Sequence, residues 1–281
     1  MNYHEFTIHV PDESREALIG RVSDMGVLGI VERDGDVVAY FDGQRDFREI
    51  SGSLLEFRDV LGSAGLAPDI SFECSTLAGQ DWGEEWKKNF APIEVGDSLV
   101  IVPSWLDHET QRTRILIDPG MAFGTGQHGT TFMCLELLEK YAGAHRGGSF
   151  LDVGTGTGVL AVAASKLGLG NVACVDNDPL AVEAALKNAE LNGIQDIDVR
   201  QGDINAVNGR YDLITANLYS GILIEIAGGI AERLDSSGTA VLSGILSGQE
   251  AGVIEAMQGA GLALKEKAFD DKWIALVFER N

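Results

Sequence analysis

The first 76 residues show short runs of alternating hydrophobic and polar positions, separated by turn residues. In order, the runs predict a strand, a helix, two strands around the hairpin pair Asp34-Gly35, a helix and a final strand. This order is typical of a ferredoxin-like α+β domain over residues 1–76. Such a fold carries no chemistry of its own. We therefore expect this domain to recognise a substrate.

From residue 119 the pattern changes to nearly continuous hydrophobic runs that alternate with helical stretches. This alternation predicts a parallel sheet covered by helices on both faces. The chain ends in two alternating runs around the tight turn at 270–271. We therefore predict an α/β fold over 119–281, with a Rossmann-like parallel sheet and a terminal antiparallel hairpin. Residues 77–118 hold one strand-like run and are interpreted as an interdomain linker.

Charge and composition narrow the classes of function. The 281 residues have a formal net charge of −22, and their 21 Lys and Arg residues form no basic run. This pattern disfavours stable nucleic-acid binding. An acidic surface attracts a basic partner or serves solubility alone, and composition does not separate these two roles. No apolar run approaches the roughly 18 residues of a membrane span, and the amino terminus has no signal-peptide pattern. We expect a cytoplasmic protein with no membrane contact.

Three scattered cysteines, Cys74, Cys134 and Cys174, lack the spacing of metal ligands. Free cysteines are usually small buried hydrophobic residues in a reducing compartment. We expect that role for all three, and we predict no metal site.

The most informative motif, LDVGTGTG, occupies residues 151–158, between a predicted buried strand and a predicted helix. Gly154, Gly156 and Gly158 allow the backbone to approach a ligand while helix N–H groups point at it. The dinucleotide fingerprint requires its last glycine one position later, where this sequence has valine. With Asp152 before the loop, this pattern disfavours a pyrophosphate and favours a cationic, amine-bearing ligand such as S-adenosylmethionine.

Two further carboxylates are predicted to contact that ligand. Asp176 ends the next strand, twenty residues after Gly156, where an acidic residue can accept hydrogen bonds from both ribose hydroxyls of an adenosine. Asp178 is better interpreted as the N-cap of the following helix. Asp203 follows the third strand and is a candidate acceptor for the adenine amino group, with a turn role as the alternative.

Asn217 ends the fourth strand, in the run ANLYS. Ligands of open α/β sheets bind at the carboxyl ends of the strands. Asn217 is therefore predicted to hold the reacting amine or the methionine end of the cofactor, and it is a candidate catalytic residue. A polar turn residue is the alternative interpretation.

The segment 118–131, DPGMAFGTGQHGTT, is too rich in glycine and hydroxyl groups for an ordinary linker. Phe123 is predicted to form a wall of the methyl-transfer pocket and is the second candidate catalytic residue. Thr131 is predicted to begin the next helix and to contact the cofactor. His128 is a possible base by residue type, but a lone histidine is more often structural.

Together these stretches resemble the PrmA family of ribosomal protein methyltransferases, which methylate large-subunit ribosomal protein eleven. The resemblance rests on WGEEWKKNFAPIEVGDSLVIVPSW, DPGMAFGTGQHGTT, LDVGTGTGVLAVAASKLG, VDNDPLAVEAALKNAELNG and ANLYSGIL. It implies transfer of methyl groups from S-adenosylmethionine to lysine side chains, with the amino-terminal amine as a second acceptor. It also implies cofactor contacts by Thr131, Gly154, Asp176 and Asn217. In addition, it implies that the amino-terminal domain binds the substrate protein.

Other functions remain open at this point. The same fold can methylate another protein's lysines, a glutamine, nucleic acid or a small molecule, or can bind the cofactor without turnover. Enzymes that methylate glutamine or adenine usually carry an Asn-Pro-Pro-aromatic motif, whereas this chain has Asn217-Leu218-Tyr219 at the corresponding place. A nicotinamide-dependent enzyme is disfavoured because the third glycine of the loop, Gly158, comes one position earlier than in the dinucleotide fingerprint.

Overall fold

The computed structural model describes residues 3–33, 35–63, 67–77, 91–118 and 129–280. The chain forms two compact units, Met1–Phe90 and Ala91–Asn281.

The described residues of the first unit form a four-stranded antiparallel sheet with two helices, in the strand order β2-β3-β1-β4. Its elements are β1 (Tyr3–His9), α1 (Asp12–Asp24), β2 (Gly29–Arg33), β3 (Asp36–Asp42), α2 (Phe47–Ser63) and β4 (Ser71–Leu77). The order of helices and strands matches the one predicted from the sequence. The hairpin between β2 and β3 turns at Gly35, whose φ of 91° suits glycine.

Alternating burial along β1 explains why this unit folds as a single layer of sheet against helices. Phe6 and Ile8 are fully buried, together with Phe41 of β3. They pack in one hydrophobic cluster with Leu18 of α1 and Leu54 of α2. A strand that buries every second residue presents one apolar face, and the helices cover that face.

The second unit contains a seven-stranded sheet of order β10-β9-β8-β11-β12-β14-β13. Its strands are β8 (Ser149–Val153), β9 (Gly170–Asp176), β10 (Ile197–Gln201), β11 (Tyr211–Asn217), β12 (Leu234–Leu246), β13 (Leu262–Asp270) and β14 (Trp273–Arg280). Its helices are α3 (Gly129–Ala142), α4 (Val159–Lys166), α5 (Pro179–Leu191), α6 (Ser220–Glu225), α7 (Ala227–Arg233) and α8 (Glu250–Gly259).

The order of the strands sets the position of the functional edge. Strands β10, β9, β8, β11 and β12 are parallel, and β14 lies antiparallel between β12 and β13. The chain runs outward from β8 to β9 and β10 on one side, and returns to β11 and β12 on the other. This reversal opens a crevice at the carboxyl ends of β8 and β11, where ligands of such sheets bind.

Hydrophobic side chains on both faces of this sheet hold it between helices. On one face, Phe150, Cys174 and Val277 belong to a core cluster with residues of α3 and α4. On the other face, Leu151 and Val175 pack in a cluster with residues of α6, α7 and α8. Burial on both sides accounts for the nearly continuous apolar runs of these strands.

The segment expected to be a linker, 77–118, differs from that expectation. Residues 78–90 lie outside the described ranges, and the second compact unit begins at Ala91. The rest forms a three-stranded sheet of β5 (Ile93–Val95), β6 (Leu99–Pro103) and β7 (Thr113–Ile117). It buries its apolar residues in the same cluster as α3 and α4. The sequence pattern predicted β6 but neither β5 nor β7.

Two of the three cysteines are buried as expected, namely Cys134 and Cys174. The expectation for Cys74 was wrong, because this residue is exposed on β4, an edge strand of the first sheet. No helix in the described part of the chain combines the length and apolarity needed to cross a bilayer.

Candidate cofactor and active site

The candidate site follows the carboxyl ends of four neighbouring parallel strands. Asp176 and Asn217 are the last residues of β9 and β11, and Asp203 follows β10 after one residue. The glycine loop connects β8 to α4. Phe123 and His128, which the sequence predicted for the same site, lie outside the described residues.

The glycine loop adopts a left-handed backbone conformation. Gly154, Gly156 and Gly158 have φ angles of 74°, 54° and 79°, which glycine adopts at little cost. A Cβ at Gly158 would lie 2.9 Å from the Cα of Ala185. Gly158 therefore lets α5 approach the start of α4. The Gly154 N–H donates to the Val175 carbonyl at 2.9 Å, which ties the loop to β9.

Asp152 precedes the loop, and its side chain is fully buried. Its carboxylate accepts hydrogen bonds from the hydroxyls of Thr155 at 2.7 Å and Thr215 at 2.6 Å. Burial is the main reason that the pKa of Asp152 is raised to about 6. Because the carboxylate is enclosed in this way, the structure shows it bonded within the protein, and the predicted contact with the cofactor stays a prediction. Asp152 thereby ties the loop to β11.

Asp176 is half-buried at the end of β9, with its carboxylate directed to the loop. One oxygen accepts the Gly156 N–H at 2.9 Å, and the other accepts the Asp178 N–H at 3.0 Å. Because a carboxylate offers about four acceptor positions, further capacity is left for ligand hydroxyls. Asp178 caps α5 by accepting the Leu180 N–H at 2.9 Å, as predicted from the sequence.

Asp203 is exposed and lies in a turn beside the same edge. The preceding residue, Gly202, donates its N–H to the Asp176 carbonyl at 2.8 Å, which brings Asp203 close to β9. The Asp203 carboxylate accepts the Asn205 N–H at 2.8 Å and caps a single 3₁₀ turn. The geometry therefore supports the turn role, while the adenine contact stays a prediction.

Asn217 and Thr131 are brought together by the fold. The Asn217 Nδ2 atom donates to the Thr131 hydroxyl at 3.2 Å. Thr131 lies in the first turn of α3 with only 1% of its surface exposed, whereas Asn217 is half-buried. The carbonyl oxygen of Asn217 has no donor among the residues that the structure describes, so it is available to a ligand.

Sequence reasoning missed a close backbone contact next to Asn217. The strand β12 has a bulge at Gly244, whose φ is 85°. A Cβ there would lie 2.5 Å from the Leu218 carbonyl oxygen. The Leu218 N–H also donates to the Ser243 carbonyl at 3.0 Å. An isolated glycine within a strand pattern is the signal that indicates such a bulge.

Sequence reasoning also missed Asn188 on α5. This buried side chain donates to the Thr157 carbonyl at 2.8 Å and accepts the Asp118 N–H at 2.8 Å. Asp118 also forms an ion pair with Lys187 at 2.6 Å. The available signal was a polar residue on the same helix face as Ala181 and Ala185, which are both buried.

This arrangement suits a nucleoside ligand that carries an amine or a positive charge. A glycine loop, a carboxylate at the end of the second strand and a side-chain amide at the fourth all border the crevice. Within the described ranges, no group of three or more His, Cys, Asp or Glu side chains is positioned to hold a metal ion.

Comparisons with known proteins agree with one family. The chain matches the family model described as ribosomal protein L11 methyltransferase (PrmA) over residues 13–281. It is 36% identical to the ribosomal protein L11 methyltransferase of Pelotomaculum thermopropionicum, with 98% of each chain covered. It is 35% identical to the protein of the same name from Myxococcus xanthus, with 99% of each covered.

A solved structure extends this similarity to three dimensions. The ribosomal protein L11 methylase from Lactobacillus delbrueckii subsp. bulgaricus is 32% identical to this chain, with a TM-score of 0.63. The superposition covers 68% of this chain and 98% of that structure.

Proposed function

Because the chain belongs to the ribosomal protein L11 methyltransferase family, we propose that it transfers methyl groups from S-adenosylmethionine to amines of ribosomal protein L11. The acceptors are lysine side chains, with the amino-terminal amine as a second candidate. The observation that carries the proposal is the family match over residues 13–281. It spans most of the amino-terminal unit as well as the glycine loop.

The residues at the carboxyl edge of the sheet fit this cofactor. The left-handed loop of Gly154 and Gly156 offers backbone without side chains, and a Cβ at Gly154 would lie 2.4 Å from the Leu218 side chain. The remaining acceptor capacity of Asp176 suits the two ribose hydroxyls. We assign the adenine amino group to Asp203. Asp152 contributes by tying the loop in place.

The bound cofactor supplies a methyl group activated by a positively charged sulfur. The acceptor amine must present a free lone pair, and desolvation in a crevice lowers the pKa of a lysine. A dedicated base is therefore not required. Alignment of the two reactants lowers the activation free energy by up to about 7–11 kcal/mol in well-oriented systems.

Asn217 is proposed to orient the acceptor. Its carbonyl oxygen accepts an N–H of the incoming amine and so directs the lone pair towards the methyl group. Thr131 holds the amide in that orientation through the hydrogen bond at 3.2 Å. The acceptor lysine would lose its proton to solvent before the transfer, and the bound cofactor would then supply the methyl group to the neutral amine. Phe123 is assigned to the wall of the same pocket.

The amino-terminal unit is proposed to bind the substrate protein. A net charge of −22 favours the approach of a basic ribosomal protein and disfavours stable binding to nucleic acid. We further propose that the enzyme works in the cytoplasm, where newly made ribosomal proteins are available, without membrane contact.

Tritium transfer from labelled S-adenosylmethionine into purified, unmethylated L11 tests the proposal. Free amino acids and RNA serve as controls in the same assay. We expect label in L11 alone, at lysines or at the amino terminus when the peptides are sequenced. Tight cofactor binding without label in L11, or label in RNA instead, would overturn the proposed substrate.

A further inference from the structure

Asn188 connects two segments that the proposed function assigns to the cofactor site. Its Nδ2 donates to the carbonyl of Thr157 in the glycine loop at 2.8 Å, and to the Asp118 carbonyl at 3.4 Å. Its Oδ1 accepts the Asp118 N–H at 2.8 Å. Asp118 is the first residue of the glycine- and hydroxyl-rich segment 118–131. One side chain therefore bonds to the backbone of both segments.

The surroundings of Asn188 make these bonds hard to replace. The side chain has no exposed surface, so water does not take over a lost partner. Buried backbone groups without partners carry the full cost of desolvation. Three residues earlier on α5, Ala185 contacts the Gly158 position of the same loop. Residues spaced by three share a helix face, so α5 supports the loop at two adjacent points.

We propose that Asn188 is a positioning residue for cofactor binding. It sets the distance between Thr157 of the glycine loop and Asp118, and so positions the loop for the cofactor without touching the ligand. The inference rests on the proposed function, because that function places the glycine loop at S-adenosylmethionine.

Asn192, the C-cap residue of α5 and four residues after Asn188, is a control of the same residue type. Its Oδ1 accepts the Leu116 N–H at 2.9 Å, and its Nδ2 donates to the Leu116 carbonyl at 2.6 Å. Its Nδ2 also donates to the Asn188 carbonyl at 2.8 Å. Its amide bonds both backbone groups of one residue of β7, as the Asn188 amide bonds both backbone groups of Asp118. Unlike Asn188, it makes no bond to the glycine loop. Asn192 supports β7 and Asn188 supports the residue that follows it, so both variants lose support for this stretch of backbone, whereas only the Asn188 variants lose a bond to the glycine loop.

The test compares Asn188→Ala with Asn192→Ala in the full-length protein. Calorimetric titration with S-adenosylmethionine is expected to show affinity about tenfold weaker for Asn188→Ala. In L11 methylation, KM for S-adenosylmethionine should rise by a similar factor, while kcat at saturating cofactor changes by less than about twofold. Asn192→Ala should lower the melting temperature comparably, yet keep its cofactor affinity within about twofold.

Asn188→Asp provides a second variant in case Asn188→Ala fails to fold. When ionised, it keeps the shape and the acceptor for the Asp118 N–H, but it has no donor for the Thr157 carbonyl. It is expected to weaken cofactor binding in the same direction. Wild-type affinity in the folded Asn188 variants, or an equal loss in Asn192→Ala, would overturn the inference. Because calorimetry needs no L11, failure of wild-type protein to methylate L11 would count against the proposed function alone.

Discussion

The side-chain amide of Asn217 donates a hydrogen bond to the hydroxyl of Thr131 over 3.2 Å, across 86 residues of sequence. One residue ends β11, and the other lies in the first turn of α3. Because an amide group is planar, the bond on its nitrogen side also sets the direction of its carbonyl. The pair therefore presents an oriented acceptor at the crevice between β8 and β11.

Removing the amide in Asn217→Ala is expected to lower kcat for L11 methylation by about 100-fold, since one oriented polar contact in a transition state is worth about that factor. Affinity for S-adenosylmethionine should change much less. Rates of label transfer and calorimetry on the same preparation separate the two effects. Unchanged turnover would contradict the proposed role of Asn217, and a loss confined to affinity would move it to the methionine end of the cofactor.

Thr131→Val keeps the shape of the buried side chain but removes the hydroxyl that receives the Asn217 amide. We expect kcat to fall about tenfold, because a polar group left without its partner costs about 1–3 kcal/mol. Thr131→Ser restores the hydroxyl and should recover most of the rate. If the valine and serine variants behave alike in steady-state assays, the hydroxyl does not position Asn217.

Asp176→Asn tests the carboxylate at the end of β9. Hydrogen bonds to a charged group contribute about 1.5–3 kcal/mol, so the dissociation constant for S-adenosylmethionine should rise by about tenfold to 100-fold. Asp178→Asn is the control, because Asp178 caps the amino terminus of α5 and asparagine caps helices about as well as aspartate. Calorimetry should show near-normal binding for that control; similar losses in both variants would indicate a general effect on the turn.

Asp152 is expected to make stability depend on pH. Its pKa is raised to about 6 by burial, compared with about 3.9 in an unfolded chain. A raised pKa contributes stability that is fully present below about pH 4 and is lost as the pH rises through about 6. Relative to Asp152→Asn, the wild-type free energy of unfolding should therefore fall by about 1 kcal/mol between about pH 5 and about pH 7.5. Denaturant titrations of both proteins measure this; a difference that does not vary with pH would contradict it.

Gly244→Ala should disturb the segment that follows Asn217. A Cβ at this position meets the Leu218 backbone at 2.5 Å, whereas Gly248, with a φ of 93°, has nothing within 4 Å. Both alanine variants carry the left-handed strain of about 1–2 kcal/mol, but only Gly244→Ala must move Leu218. We expect kcat to fall by about tenfold or more in that variant, and to stay near wild type in Gly248→Ala. Equal rates in the two proteins would show that the contact at Leu218 does not position Asn217.

Patterns in the sequence predicted the fold well where elements are long or punctuated by glycine and proline. The Rossmann-like sheet with its terminal hairpin is confirmed, and so is the family resemblance. The cap at Asp178 was predicted because capping depends on residues next to one another in the chain. Of the sheet of β5, β6 and β7, only β6 was predicted, and its pairing with the other two strands is not encoded in any short run of adjacent residues.

For the candidate site, residue types alone could not tell an enclosed carboxylate from one that stays partly exposed. Asp152 and Asp176 are both acidic residues at the ends of neighbouring strands. Only the structure shows that Asp152 is enclosed by Thr155 and Thr215, whereas Asp176 remains half-buried beside the loop. The difference arises because successive side chains of a strand point to opposite faces, and packing decides which of them is covered.

The sequence by itself determined the left-handed glycine loop, the position of the strand ends and the family, because these depend on short stretches of adjacent residues. Only the tertiary structure decided that Asn217 meets Thr131, and that Asn188 joins Asp118 to Thr157. Such pairs depend on the order and register of strands that are distant in the chain. No local pattern encodes them, since they form only when the whole sheet and its helices pack together.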